Sequence, residues 1–172
     1  MKYRLRSMVQ SGKIPHALLL EGPSGVGKLS LARAFAQYLH CEHPTSDGDS
    51  CGRCPSCQQH SAFNHIDTIY SFPVVKKEKI RYSDDYIGEF RELLSDTVFM
   101  SFDKWLQKLD NVNAQPQIYV DEAIELIRRL NYTSHGSKYK IVIMWLPERM
   151  KEDAANKLLK LVEEPYPDTI FI

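Results

Sequence analysis

Neither sign of charge is in excess in this sequence. The 22 Lys and Arg residues balance 22 Asp and Glu, for a formal net charge of zero at pH 7. That excludes a whole-molecule field drawing the chain to nucleic acid or to an anionic membrane, so any such contact must come from a local patch. Long apolar runs are missing too. None reaches the roughly 18 residues that a membrane span needs, and the opening Met1-Lys2-Tyr3-Arg4-Leu5-Arg6 has no apolar stretch of the secretion-signal kind. The expectation is a cytoplasmic protein with no membrane partner. Thiols stay reduced in that compartment, so clustered cysteines favour metal over disulfides. Internal repeats and low-complexity tracts are also absent. The 172 residues, 43% hydrophobic and 26% charged, suit one soluble domain with a sizeable core.

Cysteine is scarce but concentrated. The only four, Cys41, Cys51, Cys54 and Cys57, fall within seventeen residues. Cys51-x-x-Cys54-x-x-Cys57 with Cys41 upstream has the spacing of a four-thiolate zinc site. Gly52 allows the tight turn of a knuckle that aims two sulfurs at one ion. Four thiolates close the coordination sphere and leave no position for a reactive water, so such a zinc is structural. An iron–sulfur cluster is the alternative occupant, and His40, His43 and His60 flank the cluster as substitute ligands.

Just upstream, Gly22-Pro23-Ser24-Gly25-Val26-Gly27-Lys28 has the Gly-x-x-x-x-Gly-Lys pattern of a phosphate loop. Glycine lets the backbone wrap phosphate oxygens, the amides opening the next helix face the anion, and Lys28 supplies a point charge. A glycine-rich turn that binds nothing is the plain alternative. Two parts of a hydrolytic site are lacking. Leu29 stands where a Ser or Thr hydroxyl would hold Mg²⁺. Ser30 is one place on, turned about 100° around the helix. The apolar strand Ile141-Val142-Ile143-Met144 should end in acids, yet Trp145-Leu146 follow, and Glu148 lies beyond Pro147. Metal and attacking water are then unheld. The loop is expected to cradle ATP or ADP at most, without hydrolysing it.

Periodicity predicts helices over residues 3–11, 27–39, 55–62, 120–130 and along the run from Ala154 to Val162. It predicts short strands at His16–Glu21, Asp67–Tyr70, Ile141–Leu146 and Thr169–Ile172. Helices alternating with apolar strands mean an α/β fold with a mainly parallel sheet. The core stripes read as Ala123, Ile124, Ile127 and Leu130 on one helix, and Ala154, Ala155, Leu158, Leu159, Leu161 and Val162 on another. Residues 73–115, bounded by Pro73 and Pro116, carry Phe90, Leu93, Leu94, Phe102, Trp105, Leu106 and Leu109 at helical spacing and read as an inserted helical segment.

Ile14-Pro15-His16-Ala17-Leu18-Leu19, the loop Gly22 to Lys28, the Cys41/Cys51/Cys54/Cys57 module and the block from Ala154 to Pro165 together resemble the δ′ family of bacterial DNA polymerase III clamp-loader subunits, within the AAA+ superfamily. The likeness covers residues 2–70 and 116–172, and leaves 73–115 without a counterpart. It implies a P-loop AAA+ domain over 1–172, truncated at its C-terminus, containing a zinc module at 41–60. It further implies a non-hydrolysing stator that joins γ/τ and δ subunits in a hetero-pentamer and helps load a sliding clamp onto primed DNA in replication. The family's Ser-Arg-Cys arginine, lid and collar would lie beyond Ile172, and the chain starts later than the family usually does. Alternatives are a catalytic γ/τ-type ATPase rescued by Ser30 and Glu148, or a zinc-containing adaptor with a vestigial loop. Leu29 and Trp145-Leu146 fit δ′ better than γ/τ.

Weaker features have plainer readings. Lys76, Lys77, Lys79, Arg81 and Tyr82 suit a solvated loop more than a DNA contact. Trp105 reads as core, His16 as a hydrogen-bonded structural residue, and Asp121-Glu122 as acids complementing a helix dipole.

Overall fold

The computed structural model describes residues 1–109, 115–132 and 136–172. Part of the expected 73–115 segment, residues 110–114, therefore lies outside the described residues. The helices are α1 (Lys2–Gln10), α2 (Lys28–His40), α3 (Pro55–Ser61), α4 (Ile87–Asp96), α5 (Phe102–Lys108), α6 (Val120–Leu130) and α7 (Glu152–Glu163). The strands are β1 (Thr68–Ser71), β2 (Lys140–Met144) and β3 (Thr169–Phe171). They form one parallel sheet in the order β1-β2-β3, with Ile69 beside Val142 and Val142 beside Phe171. Among the described residues, no helix is long and apolar enough to cross a membrane.

Side chains alternate across a strand, so both faces of this sheet must be covered. Ile69, Val142 and Phe171 point to one side, where Ala123, Leu126 and Leu130 of α6 meet Ala154, Leu158 and Leu161 of α7. Tyr70, Ile141, Ile143 and Ile170 point to the other, against Ala32 and Ala36 of α2 and the aromatic residues of α4 and α5.

The expected strand at His16–Glu21 shrinks to a bridge. Ala17 pairs in parallel with Phe171, through Phe171 N–H to the His16 carbonyl (2.8 Å) and Leu18 N–H to the Phe171 carbonyl (2.9 Å). β3 is three residues long, and among the described residues the bridge engages the backbone groups of Phe171. The bridge nonetheless puts the segment leading into the loop at the sheet edge beside β3.

Two core stripes also shift. Ile124 is 52% exposed, whereas Leu126 is buried. On α7, Ala155 and Leu159 face solvent, while Ala154, Leu158 and Leu161 are buried. A stripe of helical period fixes a face only to within a residue's rotation. The mutual packing of α6 and α7 decides which edge turns inward.

The segment after β1 is closed at its base. Val74 and Gln117 exchange both backbone hydrogen bonds at 3.0 Å, and Pro73 and Pro116 are fully buried around them. Phe72 stacks on Phe90 of α4 at 3.8 Å between centroids. Trp105 of α5 meets Phe72 edge-on at 5.2 Å and donates its indole N–H to the Pro73 carbonyl at 2.7 Å. The helices of this segment thus share the core of the sheet. The basic stretch makes a tight turn, Lys77 bridging to Ile80, with Lys76, Lys77, Lys79 and Arg81 exposed.

Candidate functional site

The loop Gly22 to Lys28 leads from the sheet edge into α2. Gly27 is the N-cap of α2, at a left-handed φ of 84° that a side-chain-bearing residue adopts only at a cost. The first-turn amides that follow have no partners within the helix and form the anion-favouring end of its dipole. Lys28 folds back over the loop, donating to the carbonyls of Gly22 (2.6 Å) and Pro23 (2.8 Å). A groove of about 950 Å³ opens here, lined among others by Gly25, Lys28, Leu29, Trp145 and Glu148.

Leu29 packs its apolar side chain against the core, and Trp145 leans on Phe90 at 5.9 Å. Leu146 takes a left-handed conformation (φ 59°), and Glu148 follows in the 3₁₀ turn Pro147–Arg149. Ser30 is committed elsewhere: its hydroxyl donates to the Val98 carbonyl. The groove therefore has the glycines and lysine of a phosphate cradle. At the positions after Lys28 and after β2 it has apolar side chains where a metal-dependent hydrolase needs oxygen ligands.

The four cysteines converge. Cys41, Cys51, Cys54 and Cys57 bring their sulfurs within 4.8 Å of one another, with Cys51 and Cys57 at 3.9 Å. Sulfurs at about 2.3 Å from one tetrahedral ion lie about 3.8 Å apart, so the set fits a metal. Gly52, at φ 71°, makes the knuckle turn between Cys51 and Cys54. Pro55 opens α3 at a position where no backbone donor is needed, with Cys54 as N-cap. Backbone amides point at the sulfurs: Cys51 N–H to Cys41 (3.2 Å), Cys54 N–H to Cys51 (3.4 Å) and Cys57 N–H to Cys54 (3.5 Å). Amide hydrogen bonds from Arg53 and Cys54 pull the Cys51 thiol down to about 6, whereas burial pushes Cys57 up to about 12. Four thiolates in one pocket repel one another, so a bound cation is what would let them ionise together.

Beside this cluster lies a second group that periodicity did not reveal. His40, His60 and His65 are all buried, and their ring nitrogens approach within 4.8 Å. His40 Nδ1 and His60 Nε2 share a hydrogen bond of 2.9 Å, and His40 Nε2 reaches the Tyr139 carbonyl at 2.8 Å. His65 stacks on both other rings, at 4.2 and 4.3 Å. A metal sits in the plane of each imidazole it binds, and near-parallel stacked rings have no common in-plane point. The three are a hydrogen-bonded stack joining α2, α3 and the turn before β1. Burial depresses all of them, His40 to about 4 and His60 to about 3, with His65 lowering both further.

Acid should therefore loosen the fold. An unfolded histidine titrates near 6.5, so below that pH the unfolded chain binds protons that the folded chain refuses. The stabilisation is complete above about pH 6.5 and is lost as pH falls toward 4. Thermal unfolding midpoints should decline between pH 7 and 5, and a His60→Gln variant should decline less steeply. Parallel slopes for the two proteins would show that the stack is not the cause.

Glu122 is the other residue whose role was missed. Rather than complementing a helix dipole, it is 3% exposed and accepts from the Ser83 amide (2.6 Å) and hydroxyl (2.7 Å), tying α6 to the turn before α4. Burial pushes its carboxyl above the usual range. Its neighbour Asp121 pairs with Lys76.

The family model for the DNA polymerase III delta subunit matches residues 1–172. The DNA polymerase III subunit delta′ of Pseudomonas aeruginosa is 30% identical over 91% of the chain, and that of Haemophilus influenzae 28% over 91%. The subunit tau of Bacillus subtilis is 25% identical over 98%. The chain spans 36% of the length of those two delta′ relatives and 22% of the tau relative. With its full length matched by that model, the chain belongs to the DNA polymerase III delta subunit family, with delta′ subunits among its relatives.

Proposed function

We propose that this chain is the loop-bearing AAA+ part of a δ′-type clamp-loader subunit, acting as a non-hydrolysing stator. In that reading it joins γ/τ and δ subunits in a cytoplasmic hetero-pentamer that opens a sliding clamp and sets it on primed DNA. The observation that carries the stator role is the groove itself. Leu29 and Trp145-Leu146 stand where metal-binding oxygens belong, and Ser30, the nearest substitute for the missing hydroxyl, is bonded to Val98. Gly22 to Lys28 keep the shape of a cradle, so ATP or ADP is a ligand at most. The 73–115 segment is an addition to the family's common framework. Cys41, Cys51, Cys54 and Cys57 hold one structural zinc; closed four-sulfur coordination leaves it no catalytic position.

Reconstitution tests the assignment. The full-length protein mixed with γ/τ and δ subunits should co-elute with them in size-exclusion chromatography, and omitting it should abolish clamp loading. Failure to associate would favour a zinc-containing adaptor.

A further inference from the structure

We propose that residues 97–101, the strap between α4 and α5, occupy the mouth of the phosphate loop and exclude nucleotide from it. The strap is held on both sides. The Thr97 hydroxyl donates to the Phe99 carbonyl (3.1 Å) and accepts from Lys104 Nζ (3.0 Å), while the Ser101 hydroxyl caps α5 by accepting from the Lys104 amide (3.3 Å). Met100 is buried in the main core between them. These anchors leave Val98 and Phe99 on the outside, 67% and 58% exposed. Their own burial therefore does not explain their position.

What they touch is the loop. The Phe99 ring lies against Gly27, 3.5 Å from where a side chain there would begin. The Val98 carbonyl takes the Ser30 hydroxyl, joining the first turn of α2 to a residue 68 positions away. Val98, Met100 and Phe102 line the same groove as Gly25 and Lys28. The chemistry of this contact opposes an anion. A carbonyl oxygen and an aromatic ring stand at the helix end where phosphate oxygens would be welcomed, and Lys28 is spent on the loop's own carbonyls. Phosphates and strap compete for one place, so nucleotide enters only by displacing Val98 and Phe99. This rests on the reading of Gly22 to Lys28 as a phosphate cradle.

ADP binding to the full-length protein, followed by isothermal titration calorimetry, tests it. Phe99→Ala should bind ADP at least tenfold more tightly than the parent protein. Ser30→Ala, which removes only the hydroxyl link, should give a smaller gain. Adding Lys28→Ala to Phe99→Ala should abolish the gain. In the parent protein, saturating ADP should speed amide exchange at 97–101. Equal ADP affinity in the parent and both single variants would overturn the strap and leave the cradle standing. No binding by any variant up to millimolar ADP would remove the cradle reading, and the proposal with it.

Discussion

Replacing Cys54 by serine in the full-length protein is expected to release one bound zinc and unfold the 41–60 module. Protein purified without added metal should contain about one equivalent of zinc per chain. The effect should be large because the sulfurs themselves make up the apolar core of the module, and the buried histidines beside it depend on the position of α3. Its buried apolar cluster consists of Cys41, Cys54 and Cys57, with Cys51 against them. Structural zinc contributes roughly 10–16 kcal/mol of apparent binding energy in small zinc-dependent folds, and that energy is folding energy. The chelated protein and Cys54→Ser should both lose amide-exchange protection across α3. The His40–His60–His65 stack should loosen with it, since α3 carries His60. Iron in place of zinc, or no metal in fresh reduced protein, would defeat the assignment.

Trp105→Ala is expected to cost about 3–5 kcal/mol, the range for deleting a fully buried large aromatic side chain. Three terms act together. The indole leaves a cavity among Phe72, Phe90 and Tyr86, which it meets edge-on at 5.2, 5.6 and 6.1 Å. The Pro73 carbonyl loses its donor at the buried base of the segment. Phe72, next to the end of β1, loses the neighbour that helps fix it over the sheet. Trp105→Phe should cost less, because it keeps most of the volume and loses chiefly the hydrogen bond. Urea unfolding of the full-length variants measures both. A loss under about 1 kcal/mol for Trp105→Ala would show that α5 does not brace the core.

Local pattern was enough for much of this fold. The Val120–Leu130 helix was placed to the residue, because its period is strong and acids mark its start. β2 was legible as a short apolar run, though it ends at Met144 rather than Leu146. Leu29, Trp145 and Leu146 could be read as departures because a phosphate loop fixes what should stand at each offset. Contacts between distant segments were not legible. His65 carries no local signal, and only the approach of α3 and the turn before β1 to α2 makes a stack of it with His40 and His60. Glu122 looked like an ordinary first-turn acid until Ser83, 39 positions earlier, supplied its donors. The Ser30–Val98 contact has the same origin. The edges of the α6 and α7 stripes depended on how the two helices lean together, which no single helix encodes.

The most direct test of the central claim, a phosphate loop that does not hydrolyse ATP, is Lys28→Ala in this subunit of the reconstituted complex, with clamp-dependent ATP hydrolysis as the readout. The isolated full-length protein should show no turnover above background, and Lys28→Ala should leave the turnover of the complex unchanged. A fall in the rate of the complex, or turnover by the isolated protein that disappears with Lys28, would place this chain among the hydrolysing subunits.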